Sequence, residues 1–167
     1  MLYIVLAVLM IALDQAVKYW AFTSLQAQQT IPLIENVFHL TYIENRGAAF
    51  SMFAQFDSRW IFVTLAVVIS IVIGVALYKD WMQNALGRWS LVMVAAGAIG
   101  NAIDRVIRGF VVDLFDFRLI HFPVFNVADI FICVGAVLFV IYFLFQHKDE
   151  GQTDASQSKS PECDRHE

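Results

Sequence analysis

FNVADIFICVGAVLFVIYFLF, residues 125–145, is an apolar run that contains a single acidic residue, Asp129. Because about 20 apolar residues in a helix cross the hydrocarbon core of a bilayer, the run predicts a membrane-spanning helix. A carboxylate costs roughly 2.5–3.5 kcal/mol at the centre of such a helix and less near its end. Asp129 lies near the start of the run, and its retention there needs a structural or functional reason.

The composition of the whole chain also indicates a membrane protein. Of its 167 residues, 59% are hydrophobic and 16% are charged, whereas about 25% of residues are charged in an average soluble domain. The predicted fold class is therefore an all-α polytopic membrane protein. Its four transmembrane helices are predicted at residues 2–22, 60–78, 89–107 and 127–145. The first run has no basic residue before it and contains Asp14 and Lys18, so it is interpreted as a span and not as a cleaved targeting signal.

The segments between and after the spans differ in character. Loop 23–59 alternates β-branched and aromatic residues before Gly47, which predicts two or three strands in a small β-rich cradle outside the membrane, with Glu35 and His39 solvated. Segment 108–126 alternates in a similar way. Residues 147–167 are too poor in apolar residues to form a core, so we expect a disordered tail after a membrane domain of residues 1–146.

Polar residues gather at one face of the predicted bundle. With four spans, the end of the first, the start of the second, the end of the third and the start of the fourth share one face of the bilayer. We call it the site face. It receives Asp14, Lys18, Asn45, Asn101, Asp104, Arg105, Asp113, Asn126 and Asp129. This one-sided distribution predicts a functional site.

Several of these residues also have purely structural interpretations. Asp14 and Lys18 are four residues apart, so they lie on one helical face and could simply neutralise each other. Asn126 and Asp129 have the spacing of a helix N-cap and its third residue, which explains Asn126 well and Asp129 only in part. These alternatives stay open at the level of the residue pattern.

Metal, redox and nucleic-acid functions find little support in the sequence. The two cysteines, Cys133 and Cys163, provide neither a disulfide framework nor metal-ligand spacing, and we expect Cys133 to be a packed thiol. The net charge of −4 arises mainly in the tail, and no basic field invites a nucleic acid. We therefore predict no cofactor, no metal and no nucleic-acid partner.

Five ordered blocks carry a resemblance to a known family. They are DQAVK (14–18), ENRGAAFS (44–51), GNAIDR (100–105), GFVVD (109–113) and FNVAD (125–129). Together they resemble the bacterial lipoprotein signal peptidases, the signal peptidase II family. The resemblance implies an intramembrane aspartyl endopeptidase that removes signal peptides from diacylglyceryl-modified prolipoproteins, cutting immediately before the lipidated cysteine.

Carried over residue by residue, the resemblance implies a catalytic pair formed by Asp113 and Asp129. The positions implied to bind substrate or support the pair are Asp14, Lys18, Asn45, Gly47, Asn101, Asp104, Arg105 and Asn126. Two adjacent carboxylates cannot both ionise cheaply, so they would share a proton, as in the aspartic-protease pattern. We expect the partners to be prolipoprotein substrates and membrane lipid, and the protein to be a monomer.

Two other function classes are compatible with charged residues in the spans, and the charge distribution leaves the orientation open. A proton-coupled transporter or channel subunit would also place carboxylates in spans, and a non-catalytic assembly factor would use the charges for helix pairing. The site face holds more arginines (46, 59, 108 and 118) than the short loop 79–88 holds basic residues, so the positive-inside rule does not favour an outward site. The resemblance nevertheless implies a multi-pass protein of the bacterial inner membrane with its active site near the outer face and cytoplasmic termini.

Overall fold

The computed structural model describes residues 1–47, 58–82 and 84–157 of the chain. Four helices in these ranges are long and apolar enough to cross a membrane. They comprise Leu2–Gln28, Arg59–Tyr78, Ala85–Ile107 and Val127–Phe145. The prediction of a four-span helical membrane protein is therefore confirmed.

The helices differ from the predicted spans mainly at their ends. Helix α1 (Leu2–Trp20) continues through a π-helical turn (Ala21–Leu25) and a short α-helical segment (Gln26–Gln28), so the first helix extends six residues past its predicted end at residue 22. Helix α2 covers Ser58–Tyr78 and helix α3 covers Ala85–Ile107. Helix α3 begins earlier than the apolar run suggests because the Asn84 side chain caps it by accepting the Gly87 N–H at 3.0 Å.

Helix α4 covers Val127–Gln157 and so continues beyond the predicted end of the fourth span at residue 145. It includes the first part of the segment that was expected to be a disordered tail. Residues 158–167 lie outside the described residues, and the boundary at residue 146 stays a prediction.

A three-stranded antiparallel sheet lies between the helices in sequence, in the order β1-β2-β3. Strands β1 (Thr30–Ile34) and β2 (Phe38–Asn45) come from the long loop, and β3 (Val111–Phe117) comes from the third loop. Both loops therefore contain the extended segments that their alternation indicates. In the register of β2 and β3, Ile43 pairs with Asp113, so Asp113, the third residue of β3, lies beside the central strand of the sheet.

Helix α3 is the centre of the bundle and packs against the other three spanning helices. Its contact with α4 is close because glycines face the partner helix. A Cβ built on Gly97 would overlap the Ala128 carbonyl oxygen, and one on Gly135 would lie 2.7 Å from the Ser90 carbonyl oxygen. This small-residue packing brings the end of α3 against the start of α4.

The sheet is held against the end of the first helix by a buried apolar cluster. Its members are Ala21, Leu25, Tyr42, Val112 and Leu114. Val112 and Leu114 flank Asp113 in β3, and neighbouring residues of a strand point to opposite faces. The same packing that buries these two side chains therefore turns Asp113 away from the cluster.

Two predictions about individual side chains were wrong. Cys133 is exposed and not packed, because it lies on a face of α4 that no described element covers. His39 is 8% exposed and not solvated, because it lies in the central strand between Pro32 of β1 and Asp116 of β3. Glu35, in the turn that joins β1 and β2, is exposed as expected.

Candidate active site

Asp113 is a buried carboxylate held by two asparagine side chains. It is 2% exposed. Asn126 Nδ2 donates to Asp113 Oδ1 at 2.6 Å, and Asn45 Nδ2 donates to Asp113 Oδ2 at 3.0 Å. Burial raises the pKa of Asp113 to about 6, the two hydrogen bonds oppose this rise, and the charge of Asp129 adds to it. Asp113 thus holds its proton to a higher pH than an ordinary aspartate does.

Asp129 is half-buried in the first turn of helix α4. Asn101 Nδ2 donates to Asp129 Oδ1 at 2.8 Å, and the backbone N–H of Asn126 donates to Asp129 Oδ2 at 3.2 Å. In return, the backbone N–H of Asp129 donates to Asn126 Oδ1 at 3.0 Å. The last two bonds form a reciprocal N-terminal cap of the capping-box type.

Both aspartates therefore form hydrogen bonds with the same residue, Asn126. Asn126 caps α4, contacts Asp129 with its backbone and side chain, and contacts Asp113 with its amide group. Each of the four carboxylate oxygens accepts one N–H. The capping interpretation of Asn126 is correct but incomplete, since the cap residue also binds the second carboxylate.

A buried cluster of charged side chains is connected to Asp129 through Asn101, which accepts from Lys18 and donates to Asp129. Lys18 Nζ lies 3.0 Å from Asp14 Oδ2 and 3.7 Å from Asp104 Oδ2, and all three residues are 0% exposed. Asp14 Oδ1 accepts the backbone N–H of Ala128 at 2.8 Å. The predicted Asp14–Lys18 pair thus exists, and it binds helix α1 to the first turn of α4 as well as neutralising its own charges.

Asp104 connects helix α3 to the strand that carries Asp113. Its Oδ2 accepts the backbone N–H of Val112 at 3.0 Å, and its Oδ1 pairs with Arg108 one turn further along α3. Because Val112 directly precedes Asp113, this hydrogen bond fixes the start of β3 relative to the bundle. Asp104 therefore positions Asp113 indirectly, through the backbone N–H of Val112.

Gly47 and Arg105 have less direct positions. Gly47 has a φ of +76°, which favours glycine, and its N–H donates to Asn45 Oδ1 at 2.9 Å. The Arg105 guanidinium lies 4.7 Å from the ring centroid of Phe62, and its Nη1 donates to the Asn101 carbonyl oxygen at 3.3 Å. Residues 48–51 of the block ENRGAAFS lie outside the described residues.

Asp129 also borders an apolar groove of about 480 Å³ on the outer side of α4. The groove is lined by Phe122, Pro123, Val124, Phe125, Asp129, Ile130, Ile132, Cys133 and Val134. No three His, Cys, Asp or Glu side chains in the described ranges form a group that could hold a metal ion. The site therefore combines two carboxylates, four N–H donors and an adjoining surface suited to hydrocarbon.

A family model described as Signal peptidase (SPase) II matches residues 6–145 of the chain. The chain belongs to the signal peptidase II family. A lipoprotein signal peptidase of Clostridioides difficile (strain 630) is 48% identical over 145 residues, which cover 87% of this chain and 96% of that relative. One of Brevibacillus brevis is 41% identical over 141 residues, covering 84% and 93%.

The fold of this signal peptidase II family member is similar to that of solved membrane-enzyme structures. One described as a bacterial membrane enzyme has a TM-score of 0.78 and 30% sequence identity, and the match covers 85% of this chain and 92% of that one. As a signal peptidase II family member, the chain is an aspartic peptidase that cleaves lipoprotein signal peptides. It is a multi-pass protein of a bacterial membrane. The transporter and assembly-factor alternatives are therefore set aside.

Two side chains support this signal peptidase II site although their positions in the sequence did not predict it. Gln15 Nε2 donates to Asp14 Oδ2 and to the Gly100 carbonyl oxygen, both at 3.1 Å. Arg108 pairs with Asp104. Each carried a weak signal, since Gln15 lies inside the DQAVK block and Arg108 lies one helical turn after Asp104. The backbone N–H donors of Val112 and Ala128 carried none.

Proposed function

We propose that Asp113 and Asp129 are the catalytic pair of this peptidase and that they hydrolyse the peptide bond just before a diacylglyceryl-modified cysteine. The single observation that carries the proposal is the Asn126 side chain, whose two polar atoms contact one aspartate each. The charge of Asp129 also raises the pKa of Asp113, so the two carboxyl groups are close enough for ionisation of both to be unfavourable. Such a pair can supply an acid and a base at once.

The surroundings of the two carboxylates favour different roles. Asp129 is the ionised base, because it is the more exposed of the two and lies at the positive end of the α4 dipole. Asp113 is the protonated partner, because it is 2% exposed and its pKa is raised to about 6. Environments that separate two neighbouring carboxyl groups in this way assign an acid and a base.

The proposed reaction follows from these roles. Asp129 takes a proton from a water molecule, and the water oxygen forms a bond to the scissile carbonyl carbon. Asp113 hydrogen-bonds the oxygen on which negative charge develops. When the C–N bond breaks, the proton held by Asp129 passes to the leaving amine of the lipidated cysteine, and the signal peptide leaves with a new carboxyl terminus.

The apolar groove beside Asp129 supports a lipid-modified substrate. Nearly all of its lining side chains are apolar, and the carboxylate lies at its border. Burial of an acyl chain contributes about 0.8 kcal/mol per CH₂ group. Acyl chains held in the groove or in the adjacent bilayer would keep the neighbouring peptide bond beside the pair, which favours lipidated over unmodified precursors.

The proposal is tested by cleavage of a synthetic diacylglyceryl-modified precursor. We expect Asp113→Asn and Asp129→Asn each to lower kcat by about 100-fold or more while the protein remains inserted, since general acid–base groups typically contribute at least this much. Asp116→Asn is the matched control. It lies in the same strand but is bound by Thr41 Oγ1 at 2.8 Å and Arg118 Nε at 2.9 Å, so cleavage should continue. Near-normal cleavage by either of the first two variants would refute the catalytic pair.

We also propose that the pair lies near the outer face of the inner membrane, with both termini in the cytoplasm. The family resemblance supports this orientation, although the arginines of the site face do not follow the positive-inside rule. Trypsin digestion of sealed vesicles tests it at Lys159 and Arg165 of the tail. Cleavage should occur in inverted vesicles, and cleavage in right-side-out vesicles alone would reverse the orientation.

A further inference from the structure

Three asparagines donate to the aspartates, and in each the amide orientation is determined by a group that can only donate. The oxygen of Asn45 accepts the Gly47 N–H at 2.9 Å, and that of Asn126 accepts the Asp129 N–H at 3.0 Å. The oxygen of Asn101 accepts Lys18 Nζ at 2.7 Å. Because a donor occupies each oxygen, each NH₂ group must face its carboxylate.

Asn101 differs from the other two in the source of its orientation. Asn45 and Asn126 are oriented by backbone N–H groups, which only a substitution by proline would remove. Asn101 is oriented by a side chain on another helix, the Lys18 ammonium of α1. The donor that Asn101 presents to Asp129 therefore depends on Lys18.

We propose that Lys18 is a positioning residue that acts through Asn101 to keep an N–H donor on Asp129 Oδ1. This inference rests on the proposed role of Asp129 as the base. If the Asn101 amide turned over, its oxygen would face the Asp129 carboxylate and its NH₂ group would face the ammonium. Both contacts would be repulsive, so the ammonium commits the amide to one orientation.

The surroundings of Lys18 hold the ammonium in the position that this role requires. An ammonium has three N–H donors, and three oxygens surround this one, at 3.0 Å in Asp14, 2.7 Å in Asn101 and 3.7 Å in Asp104. The side chain is 0% exposed, so water does not compete for these donors. Simple neutralisation of Asp14 would need only the first contact.

The test removes the ammonium without leaving a buried charge unpaired. The variant Asp14→Asn/Lys18→Met deletes one charge of each sign, retains an oxygen for the Ala128 N–H and leaves Asp104 paired with Arg108. If Lys18 orients Asn101, this variant should fold but show a kcat lowered by about 10- to 100-fold with little change in KM. If Lys18 is only a counter-ion, this variant should have the wild-type kcat, and that result would overturn the proposal.

A double-mutant cycle identifies Asn101 as the intermediary. In the wild-type background Asn101→Ala should lower kcat to a similar extent, but in the Asp14→Asn/Lys18→Met background it should add less than about threefold. Independent, multiplicative losses would contradict the proposal.

A second variant keeps the proposal testable if the charge-deleted protein does not fold. Asn101→Asp still offers Lys18 an oxygen but presents a carboxylate to Asp129, so kcat should fall although the ammonium stays paired. Retained activity would contradict the inference. Ser90→Ala is the matched control in the same helix, since Ser90 is 0% exposed and its hydroxyl donates to the Gly87 carbonyl oxygen at 2.7 Å, away from the two aspartates. Failure of the proposed function itself would be recognised separately, by an active Asp129→Asn variant.

Discussion

Asn126 Nδ2 donates to Asp113 Oδ1 at 2.6 Å, which joins the first residue before helix α4 to the middle of strand β3. The same side chain caps the helix through its oxygen. One residue thus determines where α4 begins, where Asp129 lies in its first turn, and how far that turn is from Asp113. The same asparagine therefore caps a membrane helix and connects the two members of the proposed catalytic pair.

The two roles of Asn126 can be separated with Asn126→Ser. Serine caps a helix about as well as asparagine, whereas loss of a cap costs about 1 kcal/mol. Its shorter side chain cannot cap α4 and also reach Asp113, so we expect near-normal thermal stability with kcat lowered by about 10-fold or more. Asn126→Ala should lose both activity and stability. Thermal unfolding in detergent and precursor cleavage measure the two effects, and full activity of the serine variant would contradict the bridging role.

Gly97 should be intolerant of a side chain because of its contact with helix α4. A Cβ at this position would overlap the Ala128 carbonyl oxygen, so Gly97→Ala must displace the turn that carries Asp129. We expect a loss of stability of about 1–3 kcal/mol together with reduced cleavage. Gly74→Ala in α2 is the matched control, since nothing lies within 4 Å of its Cβ. That variant should be neutral or slightly more stable, and equal behaviour of the two would argue against close packing at Gly97.

The stability of the protein should contain a pH-dependent contribution from Asp113. Its pKa rises from 3.8 to about 6 on folding, so between these values the folded protein binds a proton that the unfolded chain has released. This contribution to the free energy of unfolding is therefore fully present below pH 4 and is lost as the pH rises to about 6, by at most on the order of 3 kcal/mol. Thermal melts of the wild type and Asp113→Asn across pH 4–7 isolate it. An unchanged difference between the two proteins over this range would contradict the raised pKa.

Activity should respond to the same titration in the proposed mechanism. Because Asp113 must be protonated to bind the developing oxyanion, kcat/KM of the free enzyme should fall as the pH rises above about 6. The limbs of the profile report macroscopic constants of the pair and not of either residue alone. Initial rates of precursor cleavage from pH 4 to 9, with stability checked at each pH, measure this profile. A rate that stays constant to pH 9 would exclude a protonated Asp113 as the acid.

Much of the architecture could be predicted from the sequence because membranes impose simple constraints. The four spans follow from the length of apolar runs, and the strands of the two loops follow from alternation. The close α3–α4 contact agrees with the glycines of the third span, and the Asp14–Lys18 pair agrees with their spacing. The family followed from five short blocks and was confirmed by the match to residues 6–145.

Other features could not be predicted because they depend on contacts between distant parts of the chain. The burial of His39 requires strands on both sides of it, and the exposure of Cys133 depends on which faces of α4 the other helices cover. The backbone donors to Asp14 and Asp104, from Ala128 and Val112, carry no side-chain signal at all. Residue types indicate which groups can bond, but not which backbone atoms will reach them.

The sequence by itself determined that this chain crosses a membrane four times and concentrates its polar residues at one face, because transfer of each side chain between water and lipid depends on local composition. Only the tertiary structure decided that Lys18 donates to Asn101, that Asn101 and Asn126 donate to Asp129, and that Asn126 also donates to Asp113. These are directional contacts a few ångströms long between residues on α1, α3, α4 and β3. They form only when the packing of the helices and the sheet brings those segments together.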